Sequence, residues 1–231
     1  MRPRALIFDV DGTLAETEEL HRAAFNAAFT GAGLDWHWTQ ATYGRLLKVT
    51  GGKERIAAWC REIGLRLSPD AIASLHADKT RRYGAMMAAG RIALRPGIDR
   101  IIGEARARGA ALAVATTTSR DNVEALARAV WSCTGREMFD VIAAGDEVAA
   151  KKPAPDIYAL ALGRLGIAPS AAIAFEDSRN GLLAARAAGL FTVVTPSLYT
   201  AGEGFAGAGL ILPDLAGYSP FAVGRRMAPV A

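Results

Sequence analysis

Five short apolar runs punctuate the chain: Ala5–Phe8, Leu112–Ala115, Val141–Ala144, Ala171–Phe175 and Phe191–Val194. Each is four or five residues long with no polar alternation, which is how strands buried on both faces read. Between them lie helical patterns. "PAPDIYALALGRLG" closes on Gly166 and "SRNGLLAARAAG" closes on Gly189, glycine being the usual residue just past a helix end. Strand alternating with helix predicts an α/β fold, a doubly wound parallel sheet with helices on both faces and a Rossmann-like core.

One interval breaks that rhythm. Between Glu16 and about Gly90 no strand candidate occurs, only helical pattern. "EELHRAAFNAAFTGAG" sets Phe25 and Phe29 one turn apart, and "KERIAAWCREIG" ends at Gly64. A third segment opens with Ser68 as cap and Pro69 at the first helical position. Roughly four helices are expected, enough for a helical cap domain over 16–93 inserted into a core made of 1–15 and 94–231. "ALRPG", Ala93–Gly97, reads as the return linker, and "AGEGFAGAG", Ala201–Gly209, as a glycine-rich loop. A chain of 231 residues has room for both parts.

Composition excludes several classes. Half the residues are hydrophobic and 22% are charged, the balance of a soluble globular protein. No apolar run approaches the ~20 residues that cross a bilayer, so no membrane role is expected. The chain enters its first strand-like run almost at once, leaving no room for a signal peptide. Cys60 and Cys133 make neither a disulfide framework nor a metal cluster, and Cys60 falls in the stripe Ile56, Trp59, Cys60, Ile63, a core position. These features point to the cytoplasm. The net charge is +4 and the pI about 9.3. The basic residues are scattered and no nucleic-acid motif occurs, so nucleic acid is not an expected partner and a small anion is. No long exposed apolar stripe is evident, which leaves a monomer as the expected state.

In an open parallel sheet, ligands bind beyond the carboxyl ends of the strands. There the sequence places Asp9 and Asp11, then Thr116, Thr117 and Thr118, then Glu176 and Asp177, with Lys152 ahead of a helix in "KKPAPD". Four carboxylates on one sheet edge repel one another unless a cation sits among them. Oxygen ligands without His or Cys suit Mg²⁺. Lysine and threonine would then face an anion, and carboxylate, metal and clamp together describe phosphoryl transfer. Each residue also has a plainer reading: Asp9 as a strand end, Thr116 as a turn, Lys151 as a solvated neighbour of Lys152.

"DVDGT", "ATTTS", "KKPAPD" and "FEDSRNG", in this order over about Ala5–Val194, resemble the four motifs of the haloacid-dehalogenase-like hydrolase superfamily. The helical insertion resembles its cap. The resemblance implies Asp9 as nucleophile, Asp11 as general acid/base with its backbone carbonyl on Mg²⁺, and Thr116 on a phosphoryl oxygen. It also implies Lys152 as the balancing charge, with Glu176 and Asp177 as metal anchors.

The cap bears on substrate. "VTGGKERI" sets Thr50, Gly51 and Gly52 before a helix with Lys53 at its start, either an anion seat or an ordinary glycine turn. Lys79 interrupts the stripe Ile72, Leu75, Lys79, Tyr83, Met86, either facing inward or snorkelling. An inward lysine and the Gly-Gly-Lys seat together would hold a second phosphate, favouring a bisphosphate. "AETEELH" and "VTGGKERI" resemble the CbbY-like branch, close to β-phosphoglucomutase, with Gly52-Lys53 where mutases tend to have Ser-Arg. This resemblance implies a phosphatase for xylulose-1,5-bisphosphate, a misfire product of Rubisco in the Calvin cycle. It places Glu18 on the sugar and leaves His21 as a hinge residue with or without a role. Thr118 and Arg120 would meet substrate oxygens, although a surface arginine reads the same way. Two other readings stand beside it: a sugar-phosphate mutase, and a phospho-acceptor signalling domain, against which the large insertion and "FEDSRNG" argue.

Overall fold

The computed structural model describes residues 2–90 and 92–222, so the last stretch assigned to the core, 223–231, lies outside the described residues, as does residue 1. Among the described residues six strands form one sheet: β1 (Ala5–Phe8), β2 (Ala111–Thr116), β3 (Val141–Ala144), β4 (Ala172–Glu176), β5 (Phe191–Val194) and β6 (Leu210–Ile211). Their order is β3-β2-β1-β4-β5-β6, and every pairing is parallel. The expected α/β fold is therefore present. Several details differ from the sequence reading, and β2 runs one residue further at each end than its apolar run. Pro169–Ala171 close a 3₁₀ turn, so β4 begins at Ala172. The two-residue β6, which follows the glycine-rich loop, carries no apolar run of its own and exists by pairing with the edge of β5.

Both sheet faces are covered, which is why the runs lack alternation in polarity. In β1, β2 and β4 they largely alternate in size instead, with Ile7 the exception on the small-residue face. Leu6, Phe8, Leu112 and Val114 face α5 (Ile98–Ala107) and α6 (Arg120–Trp131). Ala5, Ala113, Ala115, Ala172 and Ala174 face α8 (Asp156–Leu165) and α9 (Arg179–Ala187), where small side chains let the helices close on the sheet. The short α7 (Gly135–Met138) precedes β3 and is opened by a Thr134/Glu137 capping box.

Among the described residues four helices intervene between β1 and α5: α1 (Glu18–Gly31), α2 (Gln40–Leu46), α3 (Gly52–Glu62) and α4 (Pro69–Ala89). The Ser68 side chain accepts from the Ala71 N–H at 3.1 Å, with Pro69 as the first helical residue. They enclose a separate aromatic core around Phe25, Phe29, Trp38 and Tyr43, joined by Cys60. Ile63 caps α3 just past its last residue and is 37% exposed, so the stripe through Cys60 stops one turn early. On α4 the stripe finishes on the buried Met87 rather than Met86. Lys79 lies within it, 4% exposed and therefore inward.

The two crossings between the layers run side by side. Ala15 and Leu94 form an antiparallel bridge, and the Arg95 N–H donates to the Leu14 carbonyl at 2.8 Å. Among the described residues no helix is long and apolar enough to cross a membrane. The strand order reverses between β1 and β4, and a crevice opens beyond their carboxyl ends.

Candidate active site

Asp9 is the first residue beyond β1, held in line by its N–H donating to the Phe175 carbonyl at 3.0 Å. Lys152, which precedes Pro153 across a cis peptide, brings its ammonium to 2.6 Å from Asp9 Oδ1 and 2.6 Å from Glu176 Oε1. Tyr158, on α8, donates its hydroxyl to the same Glu176 oxygen at 2.5 Å. All four side chains are buried. Burial pushes Asp9 up to about 7, with Lys152 opposing the shift and Glu176 and Asp11 adding to it. Burial alone would lower Lys152, but Asp9 and Glu176 outweigh it and keep the ammonium charged. Asp177 is driven well above the usual carboxylate range by burial, then by Asp9 and Glu176.

The cluster is thus short of positive charge. Asp9, Glu176 and Asp177 each offer an oxygen, all within 4.8 Å of one another, and Glu176 Oε2 is buried without a donor. An all-oxygen set around an unsatisfied carboxylate fits a hard divalent cation such as Mg²⁺. Gly12 makes the set possible. Its φ is +80°, and a Cβ there would stand 2.3 Å from Asp177 Oδ2.

The side chain of Asp11 does not join this cluster, so the expected gathering of four carboxylates becomes three and one. Its Oδ1 accepts from Thr17 Oγ1 at 2.5 Å and lies 2.9 Å from His21 Nε2. His21 Nδ1 in turn lies 2.6 Å from Lys79 Nζ, and the imidazole stacks on Tyr83 with ring centroids 4.0 Å apart. The Asp11 carboxylate can only accept, so Nε2 carries the imidazole proton that faces it, and Nδ1 is left to meet Lys79. Burial pushes Asp11 up, but His21, Thr17 and Lys79 together hold it below the ordinary range. Lys79 itself is drawn down to about 7, mainly by burial. His21 is therefore the link between Asp11 and the helical layer.

Thr116 ends β2, and its Oγ1 accepts from the Thr118 N–H at 3.2 Å. Thr118 Oγ1 accepts from Asn122 Nδ2 at 2.7 Å. Arg120 turns to β3, donating to the Ile142 carbonyl at 3.0 Å beside Glu147, so it lines the rim already engaged. Lys151 is not a solvated neighbour. Its side chain is only 12% exposed and reaches Glu54 of α3 at 3.8 Å.

A cavity of about 390 Å³ joins these residues to the helical layer, whose Glu18, Gly51, Gly52, Lys53 and Lys79 also line it. Gly51 has φ +92° and α3 starts at Gly52, so the amino end of that helix opens on the cavity. The loop is tied to the core by Thr50 Oγ1 donating to the Lys152 carbonyl at 2.5 Å. Glu18 accepts from the Tyr43 hydroxyl at 2.7 Å. Three further residues escape sequence reading. Tyr158 sits in an ordinary apolar helix stripe. Tyr199 reaches from the core to Glu19 and packs edge-on to Tyr43. Arg95, in the return linker, donates to the carbonyls of Gly12, Thr195 and Pro196.

The chain matches the haloacid dehalogenase-like hydrolase family over residues 3–189. It is 56% identical over 227 residues to protein CbbY of Cereibacter sphaeroides, covering 98% of this chain and 99% of that protein. The crystal structure of a CbbY mutant from Rhodobacter sphaeroides in complex with xylulose-1,5-bisphosphate superposes with a TM-score of 0.91 at 56% identity, over 93% of this chain and 96% of that one. β-Phosphoglucomutase from Clostridium difficile shares the fold at 18% identity, with a TM-score of 0.75 over 93% and 92% of the two chains.

Proposed function

The chain belongs to the haloacid dehalogenase-like hydrolase family and is a phosphatase of that family, and we propose that it removes one phosphate from a small sugar bisphosphate through an aspartyl-phosphate. The observation that carries this is the Asp9–Lys152 pair at 2.6 Å, set beside two further buried carboxylates at the sheet's switch point. Xylulose-1,5-bisphosphate is the proposed substrate, supported by the likeness to a protein solved with it. The cavity supports a bisphosphate too, because Lys152, Thr116, Lys53 and the amino end of α3 all line it. Residues 16–93 act as the cap, and in a carbon-fixing host the reaction belongs beside the Calvin cycle.

Asp9, Glu176, Asp177 and the Asp11 carbonyl would hold Mg²⁺, which screens the phosphate's charge when bound. An Asp9 oxygen attacks phosphorus, the bond to the sugar oxygen breaks, and Asp11, ionised in the free protein and taking up a proton from solvent when substrate binds, delivers that proton to the sugar oxygen. Water, giving its proton back to Asp11, then attacks phosphorus and frees Asp9 and phosphate. Lys152 offsets charge on Asp9 throughout, and Thr116 holds a phosphoryl oxygen. Thr17 and His21 aim Asp11 away from the cation cluster, leaving it for proton transfer.

The test is phosphate release with Mg²⁺ from xylulose-1,5-bisphosphate, ribulose-1,5-bisphosphate, β-glucose-1-phosphate and phosphoglycolate, with Asp9→Asn beside each. Release from the first, Asp9-dependent and at least tenfold faster than from ribulose-1,5-bisphosphate, is expected. Isomerisation of β-glucose-1-phosphate without net release would replace the phosphatase by a mutase.

A further inference from the structure

The two oxygens of Glu176 have unlike surroundings. The residue stands at the carboxyl end of β4 with no exposed surface. Oε1 receives two donors, the Lys152 ammonium at 2.6 Å and the Tyr158 hydroxyl at 2.5 Å, while Oε2 is buried and receives none. The carboxylate is also confined from behind, because a Cβ on Gly181 would lie 1.9 Å from Oε2 and 2.1 Å from the carboxyl carbon.

Tyr158 is fully buried on α8, its ring packed beneath the lysine with Nζ 5.2 Å from the centroid. A phenylalanine would fill that space as well, so the hydroxyl needs its own explanation. A carboxylate facing lysine alone can turn about its last bond and offer the lysine either oxygen. Two donors converging on one oxygen remove that freedom. Tyr158 is moreover a neutral donor: it fixes the group without cancelling the negative charge that a cation requires. A second lysine in its place would satisfy Glu176 and spoil the site.

We propose that Tyr158 is a positioning residue for the cation site, holding Glu176 Oε1 on Lys152 so that Oε2, which has no donor, is left as the oxygen for the divalent ion. The inference rests on the Mg²⁺ reading given above. Outer partners that orient a metal ligand typically change affinity 10- to 100-fold when removed.

Tyr158→Phe keeps the ring and deletes only the hydroxyl. Mg²⁺ alone, titrated into substrate-free protein by calorimetry, is expected to bind this variant about tenfold more weakly than wild type, with sugar-phosphate KM at saturating Mg²⁺ within twofold. In a Glu176→Gln background the same change is expected to add less than twofold, because the hydroxyl then has no charged acceptor to orient. Unchanged Mg²⁺ affinity in a Tyr158→Phe protein whose circular dichroism matches wild type would overturn the proposal. So would a full tenfold loss in the Glu176→Gln background, a comparison that also decides the matter if the single variant folds poorly. Wild-type protein that binds no Mg²⁺ would instead remove the metal reading on which both rest.

Discussion

Replacing glycine by alanine inside a helix ordinarily stabilises it by about 1 kcal/mol. At Gly181, the third residue of α9, the sign should reverse. A Cβ would arrive 1.9 Å from Glu176 Oε2, far inside the 3.4 Å at which ordinary contact begins. A flexible side chain would simply step aside, but Glu176 has no exposed surface and is held through Oε1 by Lys152 and Tyr158. Moving it loosens at least one hydrogen bond to a charged group, about 1.5–3 kcal/mol, and overpacking costs a further ~1–3 kcal/mol. Set against the helix gain, the net loss is about 3 kcal/mol, a drop in Tm on the order of 6–12 °C for a chain of this size. Because Lys152 bridges Glu176 and Asp9, kcat should fall by about tenfold or more as well. Gly84, inside α4 with nothing within 4 Å of its virtual Cβ, supplies the control and should gain ~0.5–1 kcal/mol on the same change. Thermal melts of the two metal-free variants, with steady-state rates for each, make the comparison. A Gly181→Ala protein as stable and as active as wild type would show that the Glu176 seat is soft, and the reasoning about that carboxylate would fail.

Three further outcomes are expected. Burial draws Lys79 down to about 7 in the fold, against its ordinary value of 10.5 when unfolded. The unfolded chain therefore binds the extra proton between those values, and wild-type stability should rise with pH there by about 1 kcal/mol per unit relative to Lys79→Met. Denaturant melts of the pair at pH 7, 8 and 9 that ran parallel would refute this. Arg95→Met should cost about 3 kcal/mol, since the carbonyls of Gly12, Thr195 and Pro196 lose a shared donor, and Arg95→Lys should recover less than half because an ammonium lacks the planar fork; full rescue by lysine in chemical denaturation would contradict it. Thr50→Val removes the bond to the Lys152 carbonyl, worth about 1 kcal/mol, and should raise KM roughly fivefold with little change in Tm. An unaltered KM would mean that this contact does not help seat the helical layer over the substrate.

What the sequence made legible follows from locality. β1 through β5 announced themselves because a strand buried on both faces must be apolar along its whole length, and Ser68-Pro69 announced α4 because a cap and its fixed φ lie in adjacent residues. The candidate site was legible because parallel strands end on one edge, so Asp9, Thr116 and Asp177 converge whatever the details of packing. β6 was not, since two residues with no run of their own depend on the edge of β5. Nor was the separation of Asp11 from the other three carboxylates, which is imposed by partners 6 and 10 positions away on another element.

The His21–Lys79 contact shows where a stronger signal lay. Lys79 breaks an apolar stripe on α4, and His21 breaks one on α1, where Ala24, Phe25 and Ala28 are buried around it. α1 and α4 pack against each other, and a polar group buried in such a seam is costly unless hydrogen-bonded. Two interruptions on two amphipathic helices, each without a local partner, are therefore best satisfied by one another. The observed 2.6 Å contact between Lys79 Nζ and His21 Nδ1 is that solution, and it leaves Nε2 as the donor to Asp11. A stripe interrupted by lysine thus finds its partner in a histidine 58 residues away, and that histidine holds Asp11, the carboxylate proposed above for proton transfer.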